Sequence, residues 1–190
     1  MPDFNHAGPQ RVFDVIPAGT IATLQLKVRP GGSGEGGWLR RSKNGDSEAL
    51  DCEFIVTDGP YAKRKFWTLS TVVGTTEGHG RAAEISRSKL RAILESAHGV
   101  RPDDTSEAAK RARQIESYGD LNGLRFIGRI GVEAARDNYP AKNILLDAVT
   151  PDRRDWHPVE QTPKSTASPT AQYTAAKSEA APLEKPAWAK

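Results

Sequence analysis

Apolar and polar residues alternate with a period of two in several short segments, which is the pattern of β-strands with one buried face. The clearest example covers residues 20–28, where every second residue from Ala22 is apolar. Similar patterns predict strands over residues 49–57, 64–71, 124–133 and 143–149. The turn residues Asp58, Gly59 and Pro60 predict that the second and third strands form an antiparallel hairpin.

The period changes to that of a helix over residues 81–97, where an apolar stripe includes Ile85, Leu90 and Leu94. Gly99 provides a C-terminal stop for this helix. A shorter helix is predicted over residues 106–116, as an insertion on the surface. The order is three strands, a helix and two strands. It predicts a mainly β fold with one or two helices, a five-stranded OB-like barrel with the helix between strands 3 and 4.

Composition divides the chain into three parts. Residues 1–15 are predicted to form an N-terminal extension, and residues 16–151 the OB-like domain, in which the candidate nucleic-acid-binding residues discussed below all lie. Residues 152–190 are rich in Pro, Ala, Ser and Lys, lack a periodic apolar pattern and are predicted to be a disordered tail. The low apolar fraction of the whole chain, 37%, is consistent with a compact domain that carries a polar tail.

Charge and cysteine content limit the setting in which the protein works. The net charge of +3 permits a polyanionic partner without requiring one. The single cysteine cannot form an internal disulfide, and no signal peptide or membrane-length apolar segment is visible. We therefore expect a cytoplasmic protein that has no membrane partner.

The first candidate binding segment is the glycine-rich stretch 31–37 and the basic residues after it. We interpret it as a mobile arm in which Trp38 stacks on a base while Arg40, Arg41 and Lys43 meet phosphates. The alternative is a solvated hairpin loop whose Trp38 folds back onto the barrel.

A second basic cluster, Lys63, Arg64 and Lys65, leads into Phe66 and Trp67. Alternation places Lys65 and Trp67 on one face of the strand and Phe66 on the other. One aromatic ring must therefore face the core while the other is partly exposed, and the sequence does not decide which. An exposed aromatic beside cations is typical of a single-strand-binding platform. The alternative is a core tryptophan beside a solvated basic turn.

A third group consists of Arg125, Arg129, Tyr139 and Lys142. The two arginines share one side of a strand, while Tyr139 and Lys142 lie in or beside the connection between the last two strands. OB-folds use that connection as a binding loop. We expect this group to extend the binding path.

Catalytic signatures are missing from the sequence. The glycine run lacks the Gly-Lys-Ser/Thr ending of a phosphate-binding loop, and the four histidines are scattered without metal-ligand spacing. Cys52 lies on the inward side of a strand, where a buried structural thiol is expected. We therefore predict a protein that is not an enzyme and has no cofactor and no metal site.

The order of these motifs resembles that of a family of phage and prophage single-stranded-DNA-binding proteins, members of which typically lie near recombination and replication genes. The matching segments lie between residues 16 and 149 and are Ile16-Pro17-Ala18-Gly19-Thr20, the hairpin 54–67, the helix with Leu90, Leu94 and Gly99, Leu121-Asn122-Gly123-Leu124-Arg125-Phe126 and Tyr139-Pro140-Ala141-Lys142-Asn143-Ile144. The chain departs from the family pattern at Ala62, where a glycine is expected, and in a longer glycine-rich arm. The resemblance implies an OB-like fold and binding through Lys63, Arg64 and Lys65. It also implies that the protein works in a bacterial cell or a phage-infected host.

The predicted function is non-catalytic and largely sequence-independent binding of single-stranded DNA during phage-type replication or recombination. Candidate protein partners are a recombinase, an annealing protein or a polymerase. Since the chain ends apolar rather than acidic, Trp188 is the expected docking residue of the tail. The alternative is a protein-interaction or virion-associated β-domain with a tethering tail. A preference for DNA over RNA, the site size and the formation of homo-oligomers are left open by the sequence.

Overall fold

The computed structural model of the chain describes residues 14–136 and 139–161, together with residues 3, 5, 6 and 8. The strands and α-helices are, in order, β1 (Ile21–Arg29), β2 (Leu39–Arg41), β3 (Ser47–Val56), β4 (Lys65–Gly74), α1 (Glu77–His98), α2 (Glu107–Ala112), β5 (Arg125–Glu133) and β6 (Lys142–Ala148). The described part is therefore mainly β with two helices, and all five predicted strands and both predicted helices are present with displaced ends.

Strand β3 is the centre of a single antiparallel sheet. Strand β4 pairs along one of its edges, while β1 and β2 share the other edge. Strand β1 also pairs with β5, which pairs with β6. Among the described residues no ladder joins β4 to β6, so the sheet is open and the predicted five-stranded OB-like barrel is not confirmed.

The sheet has six strands instead of the predicted five because β2 forms inside the segment that was interpreted as a basic loop. Arg29 of β1 pairs with Asp51, and Leu39 of β2 pairs with the adjacent Leu50. The two strands thus continue along the same edge of β3, interrupted by residues 30–38. A strand of three residues is too short to produce a recognisable alternation.

The glycine-rich interruption is an ordered turn, and the prediction of a mobile arm is wrong. The amides of Gly31 and Gly32 both donate to the carbonyl of Gly37, at 3.1 and 3.0 Å, and Ser33 bridges to Leu39. Four glycines between 32 and 37 have positive φ angles. Glycine adopts these angles without the steric cost that side chains bring. The many glycines of residues 31–37 therefore allow the backbone angles of a tight turn.

The inner face of the sheet is built around Phe54, which is 2% exposed. Its ring stacks on Phe66 at a centroid distance of 5.2 Å and meets the edge of Phe126 at 6.2 Å. These rings come from three different strands, so their contacts hold the curved sheet together in addition to the backbone ladders.

Helix α1 covers the core with Leu90, Ile93 and Leu94. It begins four residues earlier than predicted because the side chain of Thr76 accepts a hydrogen bond from the backbone of His79, which caps the helix N-terminus. It ends at Gly99, whose φ of 68° is the left-handed conformation of a C-terminal cap.

Trp38 belongs to this core, and the prediction that its ring is an exposed stacking surface is wrong. The residue is only 7% exposed. Its ring passes so close to the backbone of Gly119 that a Cβ atom there would lie 2.7 Å from it. The ring therefore lies in a cleft between the turns that contain Gly36 and Gly119. This cleft supplies the buried surroundings that residues adjacent in the sequence do not.

The domain continues past residue 151, where the sequence analysis placed its boundary. The indole N–H of Trp156 donates to the carbonyl of Ser96 at 3.0 Å. The side-chain amide of Gln161 donates to the carbonyls of Ala97 and Arg125 at 3.0 and 2.8 Å. Residues 152–161 are thus packed against α1 and β5, and the rest of the predicted tail, with Trp188, lies outside the described residues.

Replacing Trp38 with alanine is expected to lower the free energy of unfolding by about 3 kcal/mol, because a large buried ring is removed from a close-fitting cleft. Urea denaturation followed by circular dichroism measures the effect. Tyr139→Ala is the control: this ring is 78% exposed, and its loss is expected to change stability by less than about 0.5 kcal/mol. Equal stability of the Trp38→Ala variant and the original protein would contradict the assignment of Trp38 to the core.

Candidate nucleic-acid interface

The outer face of β4 carries an exposed apolar stripe. Phe66 points inward and is 4% exposed, whereas Trp67 and Leu69 point outward and are 48% and 55% exposed. The structure thus resolves the alternative that the sequence left open: Trp67 is the exposed aromatic, and Phe66 joins the core. A half-exposed indole on a sheet surface is available to stack on a planar ligand.

Glu53 holds Trp67 in place from the neighbouring strand. The two residues are directly opposite in the register, and the indole N–H donates to the carboxylate at 3.1 Å. The ammonium group of Lys65 lies 2.9 Å from the other carboxylate oxygen. Burial raises the pKa of Glu53, but the hydrogen bonds from Lys65 and Trp67 and the charges of Lys65 and Lys27 outweigh it, so the pKa lies below its ordinary value.

A groove of about 470 Å³ lies beside Trp67, where β4 approaches the beginning of β6. We call it the seam groove, and it is lined by Arg29, Arg40, Asp51, Trp67, Thr68, Leu69, Glu133, Lys142 and Ile144. Of the residues predicted from the sequence, it brings together Arg40, Trp67 and Lys142, one from each of the three candidate groups. The groove therefore joins parts of the chain that are distant in sequence.

The basic residues after the glycine turn do not act as one cluster. Alternation along β2 sends Arg40 to the outer face, into the seam groove, and Arg41 to the opposite side. Arg41 forms an ion pair with Glu48 at 3.3 Å. Lys43 is exposed in the turn between β2 and β3. Only Arg40 of these three lines the groove.

The three consecutive basic residues Lys63, Arg64 and Lys65 also have different surroundings. Lys63 is exposed in the hairpin turn, where its φ of 69° is in the left-handed region. The guanidinium of Arg64 donates to the backbone carbonyl of Asp14. Lys65 is partly neutralised by Glu53, as described above. Lys63 and Lys65 are thus both exposed, but of these two only Lys65 has an ion-pair partner among the described residues.

Arg125 and Arg129 lie on β5 and do not line the seam groove. The guanidinium of Arg125 donates to the carbonyl of Glu160, and so it holds the C-terminal segment. Arg129 forms an ion pair with Asp147 at 3.4 Å. The prediction that the third group forms one path is therefore wrong for these two arginines, because each is bound within the domain.

The other two members of the third group lie between β5 and β6. Tyr139 is highly exposed and forms a β-bridge with Arg136. Lys142, at the start of β6, lines the seam groove and forms an ion pair with Glu133 at 3.1 Å. The tyrosine thus has a free ring face near one end of the groove-lining strand.

The sequence analysis missed six of the nine groove-lining residues, Arg29, Asp51, Thr68, Leu69, Glu133 and Ile144, and also the outward-facing Lys27 of β1. A signal for Arg29 and Lys27 was present. In β1, alternation places Lys27 and Arg29 opposite the inward residues Leu26 and Val28, and therefore on the outer face. The position of Ile144 depends on the approach of β6 to β4, which no local pattern encodes.

Within the described residues, no group of three or more His, Cys, Asp or Glu side chains is arranged to hold a metal ion. Burial raises the pKa of the Cys52 thiol to about 11, so this buried group stays protonated at neutral pH. None of the described helices is both long and apolar enough to cross a membrane.

No protein-family model and no curated protein sequence matches this chain.

The lowered pKa of Glu53 predicts a pH-dependent contribution to stability. A depressed carboxyl pKa stabilises the fold above the ordinary value of about 4.3, and the contribution disappears as the pH falls through the lowered value. Glu53→Gln keeps an acceptor for Trp67 but cannot titrate. Urea midpoints between about pH 6 and pH 3 should therefore fall more steeply for the original protein than for Glu53→Gln. Parallel curves for the two proteins would contradict the prediction.

Proposed function

We propose that the protein binds single-stranded DNA without catalysis and with little overall sequence preference, on the outer face of β3 and β4. The observation that supports this most is Trp67, which is half exposed, fixed by Glu53 and adjacent to a groove lined by cationic side chains. Base–aromatic stacking is worth about 1–3 kcal/mol per base and accepts every base, because each has a π-face.

The cations around Trp67 fit the second requirement of a single-strand binder, a positively charged track for the backbone. Arg29 and Arg40 line the groove, and neither forms an ion pair within 4.0 Å with the residues that the structure describes. Lys142 also lines the groove, where it pairs with Glu133, and Lys63 is exposed in the hairpin turn before β4. Backbone phosphates could thus follow the rim while bases stack on Trp67 and Leu69.

The register of the sheet supports an OB-like arrangement, in which this same face binds single strands. From Arg29 at the end of β1, the ladders lead across Asp51 to Leu69. Leu69 shares the seam groove with Ile144, which pairs with Gly131 of β5. The neighbouring Ile130 accepts a hydrogen bond from the amide of Gly19, just before the start of β1. A path that starts at the end of β1 and crosses the strands in turn therefore returns to β1 near its beginning. Such a stagger between the strands is what a sheet needs in order to curve into a barrel.

The biological setting forms part of the proposal through the resemblance to phage and prophage proteins. In that setting the protein coats a DNA strand during replication, annealing or recombination, and passes it to a recombinase, an annealing protein or a polymerase.

Fluorescence anisotropy with labelled oligo-dT tests the proposal. Trp67→Ala is expected to weaken binding about tenfold or more, since one stacking contact is lost. Arg40→Gln is expected to lower the slope of log affinity against log salt by about 0.7, the value for one lost phosphate contact on a single strand. Arg87→Gln, an exposed position on α1, is the matched control and should leave affinity and salt slope close to those of the original protein.

Duplex DNA and RNA of matched length complete the comparison. Binding of oligo-dT at low salt that is stronger than binding of duplex supports a single-strand platform. Tighter binding of RNA would transfer the proposal from DNA to RNA. Absence of any oligonucleotide binding at low salt would overturn it, and the exposed Trp67 and Leu69 would then favour the alternative of a protein-interaction surface.

A further inference from the structure

Asp51 stands out among the groove-lining residues because it is an acid on a surface proposed to meet a polyanion. It lies on the outer face of β3, directly opposite Arg29 on β1 and Leu69 on β4. Cross-strand pairs of opposite charge normally stabilise a sheet. Yet the carboxylate forms no ion pair within 4.0 Å and accepts no side-chain hydrogen bond from any residue in the described ranges.

Arg29 and Arg40 share the groove with Asp51 and are likewise without an ion-pair partner among described residues. One carboxylate and two guanidinium groups are thus close together, and their hydrogen-bonding capacity is free. The neighbouring Glu53 differs, because Trp67 and Lys65 occupy both of its oxygens. The two acids on β3 therefore differ in their contacts: the carboxylate of Glu53 holds Trp67 and Lys65, whereas that of Asp51 has oxygens available to a ligand.

The space beside Asp51 suits a nucleobase. The groove of about 470 Å³ lies within the size range of small-molecule pockets. Trp67 and Leu69 supply apolar surface at its side, and Asp51 and the two arginines are among its other lining residues. An apolar wall with a few convergent polar groups is the usual construction of a specific pocket.

Resting on the proposed single-strand binding, we propose that the seam groove contains one base pocket that prefers guanine. An ionised carboxylate has two acceptor oxygens and no donor. The Watson–Crick edge of guanine offers two adjacent donors, N1–H and the 2-amino group, which match those oxygens. An arginine can then donate to O6 and N7 on the other side of the same base, which is the commonest specific contact between arginine and a base.

The other bases do not provide this pattern. Adenine and cytosine present one amino donor beside an acceptor nitrogen, which the negative carboxylate repels. Thymine presents a single N–H between two carbonyl acceptors. The rest of the binding path would remain tolerant, since stacking on Trp67 does not distinguish bases by their edges. The expected behaviour is weak, local selectivity within a generally sequence-independent site.

Short oligo-dT molecules that differ in one central nucleotide test the pocket, with affinities measured by anisotropy. One guanosine in place of thymidine is expected to tighten binding roughly tenfold, within the range of a good bidentate base contact. Inosine, which lacks the 2-amino group, should lose most of this gain. Adenosine and cytidine at the same position should give no gain.

Two variants test whether Asp51 causes the preference for guanosine. Asp51→Asn replaces one acceptor by a donor and removes a negative charge, so oligo-dT affinity should increase while the affinity ratio of the guanosine to the thymidine oligomer falls to about one. Asp58→Asn removes one negative charge from the exposed hairpin turn and serves as the matched control, in which the gain should persist. Circular dichroism confirms that both variants are folded.

The outcomes separate this inference from the proposed function. Tight binding of oligo-dT with equal affinity for guanosine, inosine and thymidine oligomers would overturn the guanine pocket and leave single-strand binding intact. A guanosine gain that persists in Asp51→Asn would also overturn it. Failure to bind any of the oligomers would overturn the proposed function itself.

Discussion

Strand β3 exchanges backbone hydrogen bonds along both of its edges, and the other five strands are arranged outwards from it. Because successive side chains of a strand point to opposite faces, this one strand defines both the core and the candidate interface. Its inward residues meet the aromatic cluster around Phe54. Its outward residues Asp51 and Glu53 face the exposed stripe of β4. A shift of the register by one residue would exchange the two sets, so core packing also fixes the site.

The charges of the surface are organised by local pairing. Lys65, Arg129 and Lys142 each have an acidic partner within the domain. The modest net charge of +3 therefore hides a more specific distribution, in which Arg29 and Arg40 remain available in the seam groove. Electrostatic attraction from such a surface is local, and shape and stacking gain importance relative to long-range steering.

Period-two alternation was sufficient to predict the five long strands, and helical periodicity predicted α1, because each of these elements has one continuous buried face. The same rule separated Phe66 from Trp67 but gave no sign of which faced the core, since both residues are large and apolar. The misplacement of Trp38 has a different origin. Its cleft is closed by Gly119, about eighty residues away along the chain, and only tertiary packing brings the two together. The seam groove was hidden from the sequence for the same reason.

The excursion of residues 30–38 leaves the edge of β3 at Arg29 and returns to the same edge at Leu39. The chain on either side of it keeps its register because β3, and not the loop, aligns β1 with β2. Lengthening such a loop costs only about 0.6 kcal/mol for each doubling of its length. Gly32 has room for a side chain, with no neighbouring atom within 4 Å, but its φ of 82° favours glycine. Descendants of this chain would therefore be expected to change the length of this turn while they keep glycine at such positions and Arg40 beside Trp67.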